Sequence, residues 1–317
     1  MIVALAGGVG GAKLADGLAH VLGRDLAVVV NTADDFEHIG LHVSPDIDTV
    51  MYTLGGVANA ETGWGVAGES WNFLDQLSRL DGPTWFRLGD RDLATHVLRN
   101  ERLKRGERLT AITGELCRRL GISARVLPMS DDPVRTVVHT AEGPLAFQEY
   151  FVGRRCEVPV TGFTFAGIEN AQVTKDVQAA LSGGETSAVV ICPSNPFVSI
   201  DPILHVPGMR ALLLARDVPI VAVSPIIGGA AVKGPAAKMM RELGLEASSK
   251  SVAAHYRGLI EGLMLDHADA PLSPAIESMG MKVRVTDTLM KSATDRRRLA
   301  QECLDFAAAL ARPGASP

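Results

Sequence analysis

Four cysteines in 317 residues, at positions 117, 156, 192 and 303, include no C-x-x-C pair. That scarcity excludes a disulfide-stapled scaffold and a cysteine-spaced zinc site, and a reducing cytoplasm is the expectation. Apolar runs of the roughly 20 residues that span a bilayer are missing as well, so no membrane partner is expected. The first apolar run, Ile2 to Ala6, has no basic stretch ahead of it and is too short for a secretion signal. An excess of basic charge is also absent: the formal net charge is −5, which argues against a nucleic-acid partner. No internal repeat or low-complexity stretch interrupts the chain. What is present is ordinary globular material, 47% hydrophobic and 21% charged, enough for one large domain or two smaller ones.

The hydrophobic pattern sets the class. Ile2 to Ala6 and Leu26 to Val30 are apolar on consecutive positions, as strands buried on both faces are, and a helix is predicted over 13–22 between them. This βαβ unit defines an α/β protein. Helical patterns follow over 71–80, 90–103 and 109–120, with Asp90 after Gly89 expected as an N-cap. Residues 125–165 read as short strands and turns. The α/β rhythm returns with strands over 187–192, 219–223 and 282–285 and helices over 236–243 and 292–310. The tail 312–317 is expected to be disordered. The expectation is a Rossmann-like parallel sheet flanked by helices. Residues 1–60 and 171–317 form its nucleotide-binding core, and 61–170 a mixed helical and strand insertion or cap.

Three loops begin at carboxyl ends of predicted strands, where open parallel sheets hold their ligands. The first is GGVGGAK, residues 7–13. It is not a Walker A loop, because Ala12 separates Gly11 from Lys13, and it is not the dinucleotide fingerprint, because Lys13 stands where the third glycine belongs. The shared physics survives: backbone N–H groups of Gly8, Gly10 and Gly11 at a helix N-terminus favour an anion, and Lys13 adds a point charge. A ligand-free glycine turn is the alternative. The second loop, PSNP, offers Ser194 and Asn195. The third, IIGGAAVKGPAAK, offers Gly228, Gly229 and Lys233 as a second anion cradle, or else a turn with a surface lysine.

Acidic groups gather nearby. Asn31 stands at the tip of the second strand, where a dinucleotide enzyme tends to place a ribose-gripping acid, and Asp34 and Asp35 follow it. Asp46 and Asp48 come next, read as carboxylates in a loop above the phosphate cradle. Mg²⁺ takes one or two such groups plus phosphate oxygens, and Asp34 and Asp48 are the candidate ligands. His38 and His42 have metal-pair spacing, but Gly40 between them argues against a helix and no third ligand is evident. The stretch WFRLGDRDLATH, from Trp85 to His96, is dense enough in charge and aromatic surface to grip a planar polar ligand or a phosphate; a solvated helix start is the plainer reading.

In this order, GGVGGAK, NTADD, SPDIDTVMYTLGG, WGVAGESWN, WFRLGDRDLATH, PSNPFVSIDPIL and SPIIGGAAVKGPAAK resemble the 2-phospho-L-lactate transferase family of coenzyme F-420 biosynthesis. The resemblance covers nearly the whole chain and thins after about residue 245. It implies a Rossmann-like fold and a Mg²⁺-dependent transfer. The donor it implies is a guanosine diphosphate carrying a phosphate-linked three-carbon acid, and the acceptor is the deazaflavin Fo. The ribityl hydroxyl of Fo receives the phospho-acid, and GMP leaves. It further implies that Asp48 and Arg87 contact Fo, that Asp48 acts on its hydroxyl, and that the protein is a homodimer. Whether the acid is lactyl, enolpyruvyl or glyceryl stays open. Two other classes remain: a non-catalytic nucleotide-binding regulator of the related gluconeogenesis-factor type, and a nicotinamide-dependent oxidoreductase, disfavoured by the failed fingerprint.

Overall fold

The computed structural model describes residues 1–215 and 217–311, so the tail expected to be disordered lies outside the described residues. Seven strands form the main sheet: β1 (Ile2–Ala6), β2 (Leu26–Val30), β3 (Arg125–Pro128), β4 (Ala188–Ile191), β5 (Ile220–Val223), β6 (Gly262–Leu265) and β7 (Lys282–Val285). Their order is β7-β6-β5-β4-β1-β2-β3, and every neighbouring pair is parallel. The α/β expectation holds. Each predicted strand is present within a residue of its expected ends.

Consecutive apolar residues in β1 serve two cores. Val3 and Leu5 point into one, with Val177, Leu181, Met209 and Met240. Ile2, Ala4 and Ala6 point into the other, where α1 (Gly8–Leu22) and the C-terminal helix Ala293–Leu310 pack through Leu14, Leu18, Leu299 and Phe306. Leu14 and Leu18 are fully buried, each worth about 2 kcal/mol of transfer free energy. Ser292 caps the C-terminal helix in a capping box with Asp295.

Asp46 and Asp48 are not in a loop. They occupy the first turn of α2 (Pro45–Leu54), where Pro45 lacks only an N–H the helix does not use and two acids suit the positive end of the dipole. Ile47, Val50 and Met51 anchor this helix in the core. The run PDID carries no apolar period of its own, so pattern alone places these acids in a loop.

Three more helices follow, α3 (Asn72–Arg79), α4 (Asp90–Lys104) and α5 (Leu109–Arg119), close to their predicted bounds. Asp90 does not cap α4, whose N-cap is Gly89. It caps α3 instead, accepting from the N–H groups of Asn72 (3.1 Å) and Phe73 (3.0 Å). Bonds from Ser70, Phe73 and Asn72 hold its carboxyl down at about 2. Glu69 returns the favour to α4, accepting from Arg91 N–H and Asp92 N–H at 2.8 Å each. Within 61–170, α3 and α4 precede a three-stranded antiparallel sheet built from Arg135–Thr140, Gly143–Ala146 and Val160–Ala166. The same stretch also supplies the edge strand β3 and helix α5, which packs Leu109, Ile112 and Leu116 into the main core.

Candidate functional site

From β1 the chain steps outward to β2 and β3, then returns to β4 beside β1 and runs the other way. Ligands of open sheets bind at such a reversal. A cavity of about 720 Å³ opens there, within the range of small-molecule sites.

The glycine loop and PSNP are locked together at its base. A Cβ on Gly10 would overlap the carbonyl oxygen of Pro193, so only glycine allows this approach. Gly7 N–H donates to Ser194 Oγ (3.1 Å), whose hydroxyl donates back to Gly7 O (2.8 Å). Asn195 Oδ1 accepts from Phe197 N–H (3.0 Å), fixing the turn that follows. Gly8, Gly10, Lys13, Ser194, Asn195 and Lys233 line the cavity. Gly11 does not; it packs against Ala6 and Ser194.

Two expectations about anion cradles change. Gly8 N–H already donates to Asp46 Oδ1 (2.7 Å), so the chain's own carboxylate takes part of the α1 N-terminus. Gly228 and Gly229 form the turn of the hairpin Ile226–Ile227 and Ala230–Ala231, outside the cavity lining. Gly228 N–H is committed to Asp269 at 3.2 Å. The free positive charge comes from side chains. Lys13 Nζ donates to Met290 O (3.1 Å) and Lys233 Nζ to Thr62 O (3.2 Å), and among the described residues neither pairs with a carboxylate. Burial, then Arg296 and Lys233 nearby, lowers the Lys13 pKa.

Asp34, Asp46 and Asp48 also line the cavity, each almost fully buried. Asn31 at the end of β2 donates to Asp46 Oδ2 (3.0 Å) and to Val198 O (3.2 Å), and Thr136 donates to Asp34 Oδ1 (3.2 Å). Burial, then the charge of Asp46, raises Asp34 well above the carboxylate range. Burial raises Asp46 to about 6, against hydrogen bonds from Asn31 and Gly8 and helped by the charge of Asp35. Two buried carboxylates that repel each other suit a hard divalent cation, so Asp34 and Asp46 are the residues that could hold one.

The raised Asp46 pKa has a testable sign. Its neutral form is favoured in the folded state, so its contribution to stability is present below about pH 4 and is lost as the pH rises through about 6. Without added divalent metal, the melting-temperature advantage of wild type over Asp46→Ala is expected to shrink between pH 4 and 7. A constant or growing advantage across that window contradicts the assignment.

Asp48 is held differently. Both its oxygens face the guanidinium of Arg99, one at 3.0 Å and the other in a shorter contact. Arg99 has no exposed surface. Its NH1 also lies 3.3 Å from His96 Nδ1, His96 Nε2 lies 3.2 Å from Asp92 Oδ1, and Tyr52 donates to Asp92 Oδ1 (2.7 Å). Ligand atoms of Asp48, Asp92 and His96 lie within 4.8 Å of one another, as in a metal cluster. The guanidinium already stands beside two of them, so the cation of this group is Arg99, and Asp48 suits Mg²⁺ less well than Asp46 does.

Arg87 is exposed, lines the cavity, and lies 4.3 Å over the Trp71 ring. Trp85 and Phe86 line the cavity beside it and pack on Phe36 and His38. Phe147 and Phe151, stacked at 5.4 Å, supply further aromatic lining. His42 bonds Asp35 (3.0 Å) while His38 packs edge-on to Trp85, so the two histidines have separate partners. Tyr52, Asp92, His96 and Arg99 were not singled out from sequence. Their signal was available: Asp48 and Tyr52 are one turn apart on α2, and Asp92, His96 and Arg99 fall at i, i+4 and i+7 on α4, a buried stripe that is polar throughout.

Fold and site together define an α/β protein that gathers lysines, carboxylates and aromatic surface in one cavity at the switch point of its sheet. Residues 2–301 match the family model described as 2-phospho-L-lactate transferase CofD, and the chain belongs to that family. A phosphoenolpyruvate transferase of Streptomyces griseus is 41% identical over 313 residues, covering 96% of this chain and 98% of that protein. A 2-phospho-L-lactate transferase of Methanosarcina acetivorans is 40% identical over 301 residues, covering 95% and 97%. The protein is therefore an enzyme, a transferase of this type acting in F-420 biosynthesis. A crystal structure of a UPF0052 family member from Bacillus halodurans shares the fold, with a TM-score of 0.60 at 12% identity over 96% of this chain and 98% of that one. Among the described residues, no helix is long and apolar enough to cross a membrane.

Proposed function

We propose that this transferase moves a phospho-three-carbon acid from a guanosine diphosphate conjugate to the primary ribityl hydroxyl of the deazaflavin Fo. The hydroxyl oxygen forms a bond to the phosphorus that bears the acid, the bond to the other phosphate breaks, and GMP leaves with that bridging oxygen. One observation carries the reading. A single cavity is lined by the uncompensated amines of Lys13 and Lys233, suited to a diphosphate, and by Asp48, Arg87 and an aromatic wall, suited to a planar acceptor.

The residues divide the work by chemistry. Lys13 and Lys233 neutralise phosphate charge, and Ser194 and Asn195 shape the loop under it. Arg87, a planar fork, faces the oxygen-rich acceptor, and Asp48 accepts a hydrogen bond from the hydroxyl to aim it at phosphorus. Asp34 and Asp46 are the carboxylates that would hold Mg²⁺, which when bound supplies charge neutralisation at the phosphates. Positioning and electrostatics dominate such transfers.

The test is turnover of Fo with the lactyl, enolpyruvyl and glyceryl conjugates separately, followed by mass spectrometry. At least one is expected to give the phosphodiester with one GMP per product. GDP binding without turnover of any conjugate would point to a nucleotide-binding regulator instead.

A further inference from the structure

We infer that Arg99 is a positioning residue for the transfer, acting on the acceptor hydroxyl only through Asp48; this rests on the transferase reading above. Arg99 is absent from the cavity lining, whereas Asp48 lines it, as do Tyr52, Asp92 and His96. The guanidinium meets both Asp48 oxygens from behind, so the plane of the carboxylate is set by a rigid two-point contact. The orientation of the guanidinium is set in turn. Its NH1 lies 3.3 Å from His96 Nδ1, Nε2 of that imidazole lies 3.2 Å from Asp92 Oδ1, and Asp92 is bonded by Tyr52 from the same helix as Asp48.

The chain closes on itself: α2 offers Asp48 and Tyr52, and α4 offers Asp92, His96 and Arg99 between them. All five residues are at most 8% exposed. Side chains buried this deeply cannot drift, so the lone pairs that Asp48 turns to the cavity have one direction. Lysine in place of Arg99 keeps the charge but presents a single rotating ammonium, which meets the carboxylate without fixing its plane.

Arg99→Lys is therefore expected to lower kcat about 100-fold while KM for the donor and Kd for GDP stay within twofold. Asp48→Asn is expected to cause a comparable loss, and the double variant to be no worse than Asp48→Asn alone within threefold, because both act at one point. Fo binding, read by deazaflavin fluorescence, should weaken in Arg99→Lys. Binding of the same chromophore without its ribityl chain should not, a contrast that loss of fold cannot produce.

Multiplicative losses in the double variant, or equal weakening of both chromophores and GDP, would overturn the proposal. If Arg99→Lys does not purify folded, Tyr52→Phe decides, since it keeps every charge. A kcat loss of about threefold that vanishes in the Asp48→Asn background supports the network; an unchanged kcat or a persistent loss rejects it. Absence of wild-type turnover would sink the substrate reading and the role of Arg99 with it. Normal wild-type turnover with an unaffected Arg99→Lys protein sinks the role of Arg99 alone.

Discussion

The Arg99→Met protein is expected to be about 3–5 kcal/mol less stable than wild type in urea unfolding. Methionine fills much of the same volume, so the loss is electrostatic: Asp48, 5% exposed, is left as a buried carboxylate without its fork. His96 Nδ1 is 3.7 Å from Asp48 Oδ2, which is proximity without a hydrogen bond and offers little compensation. A domain's whole stability is commonly about 5–15 kcal/mol, so this change brings the protein near the edge of folding. The companion result fixes the cause. Asp48→Leu combined with Arg99→Met removes both charges, and most of the lost stability is expected to return, since buried ion pairs are often replaced by apolar residues at little cost. The solvent-facing Arg102–Glu107 pair is the control: breaking it is expected to leave the urea midpoint nearly unchanged. A loss below about 1 kcal/mol in Arg99→Met would mean that water solvates Asp48, and that the pair is not buried as described.

This network also marks where sequence reading ends. β1, β2, β4 and β5 are legible because each is apolar at every position, the signature of a sheet covered on both faces, whereas β6 is absent from the expected strands and β7 carries Lys282 and Arg284; β1 and β2 fall at their expected bounds. Helix α4 was legible from its length and its start after Gly89. The glycine loop announced itself by composition, and the failure of both standard motifs turned out to be informative. In the structure, Gly8 N–H serves an internal carboxylate, and the amines of Lys13 and Lys233 line the cavity with no carboxylate partner among the described residues. What stayed hidden depends on long-range pairing. Asp48 meets Arg99 across 51 positions and Asp46 meets Gly8 across 38, and no local period encodes which acid finds which partner. Asp46 and Asp48 flank Ile47 in one short run, and of the two only Asp48 is an expected metal ligand and acceptor contact. Two positions apart on a helix they face different neighbours, and one joins the α1 N-terminus while the other joins α4. The strand β3 was read into the cap for a related reason: RVLP is too short to distinguish a core edge strand from a surface strand by pattern.

Replacing Gly10 by alanine tests the coupling of fold and site at the switch point. Gly10 is helical and its φ is ordinary, so alanine as such should favour the helix by about 1 kcal/mol. Packing overrides propensity. The new methyl would overlap the carbonyl oxygen of Pro193, a backbone atom with no rotamer to escape into. Either α1 or the loop carrying Ser194 and Asn195 must shift, and overpacking of this kind costs typically about 1–3 kcal/mol. That shift separates Lys13, on α1, from the PSNP loop, so the two sides of the proposed phosphate grip no longer meet in register. A displacement of about 1 Å in a positioned site commonly costs around 100-fold in rate. Gly10→Ala is therefore expected to lower the melting temperature and to weaken GDP binding, measured by calorimetry, together with a fall in turnover of about that size. Gly114→Ala in α5 is the matched comparison. Its added methyl meets nothing within 4 Å, and it is expected to raise stability by about 1 kcal/mol with GDP binding unchanged. Normal GDP binding in Gly10→Ala would show that the glycine loop and PSNP do not share the nucleotide, and the diphosphate would then have to be sought along Lys233 and its neighbours alone.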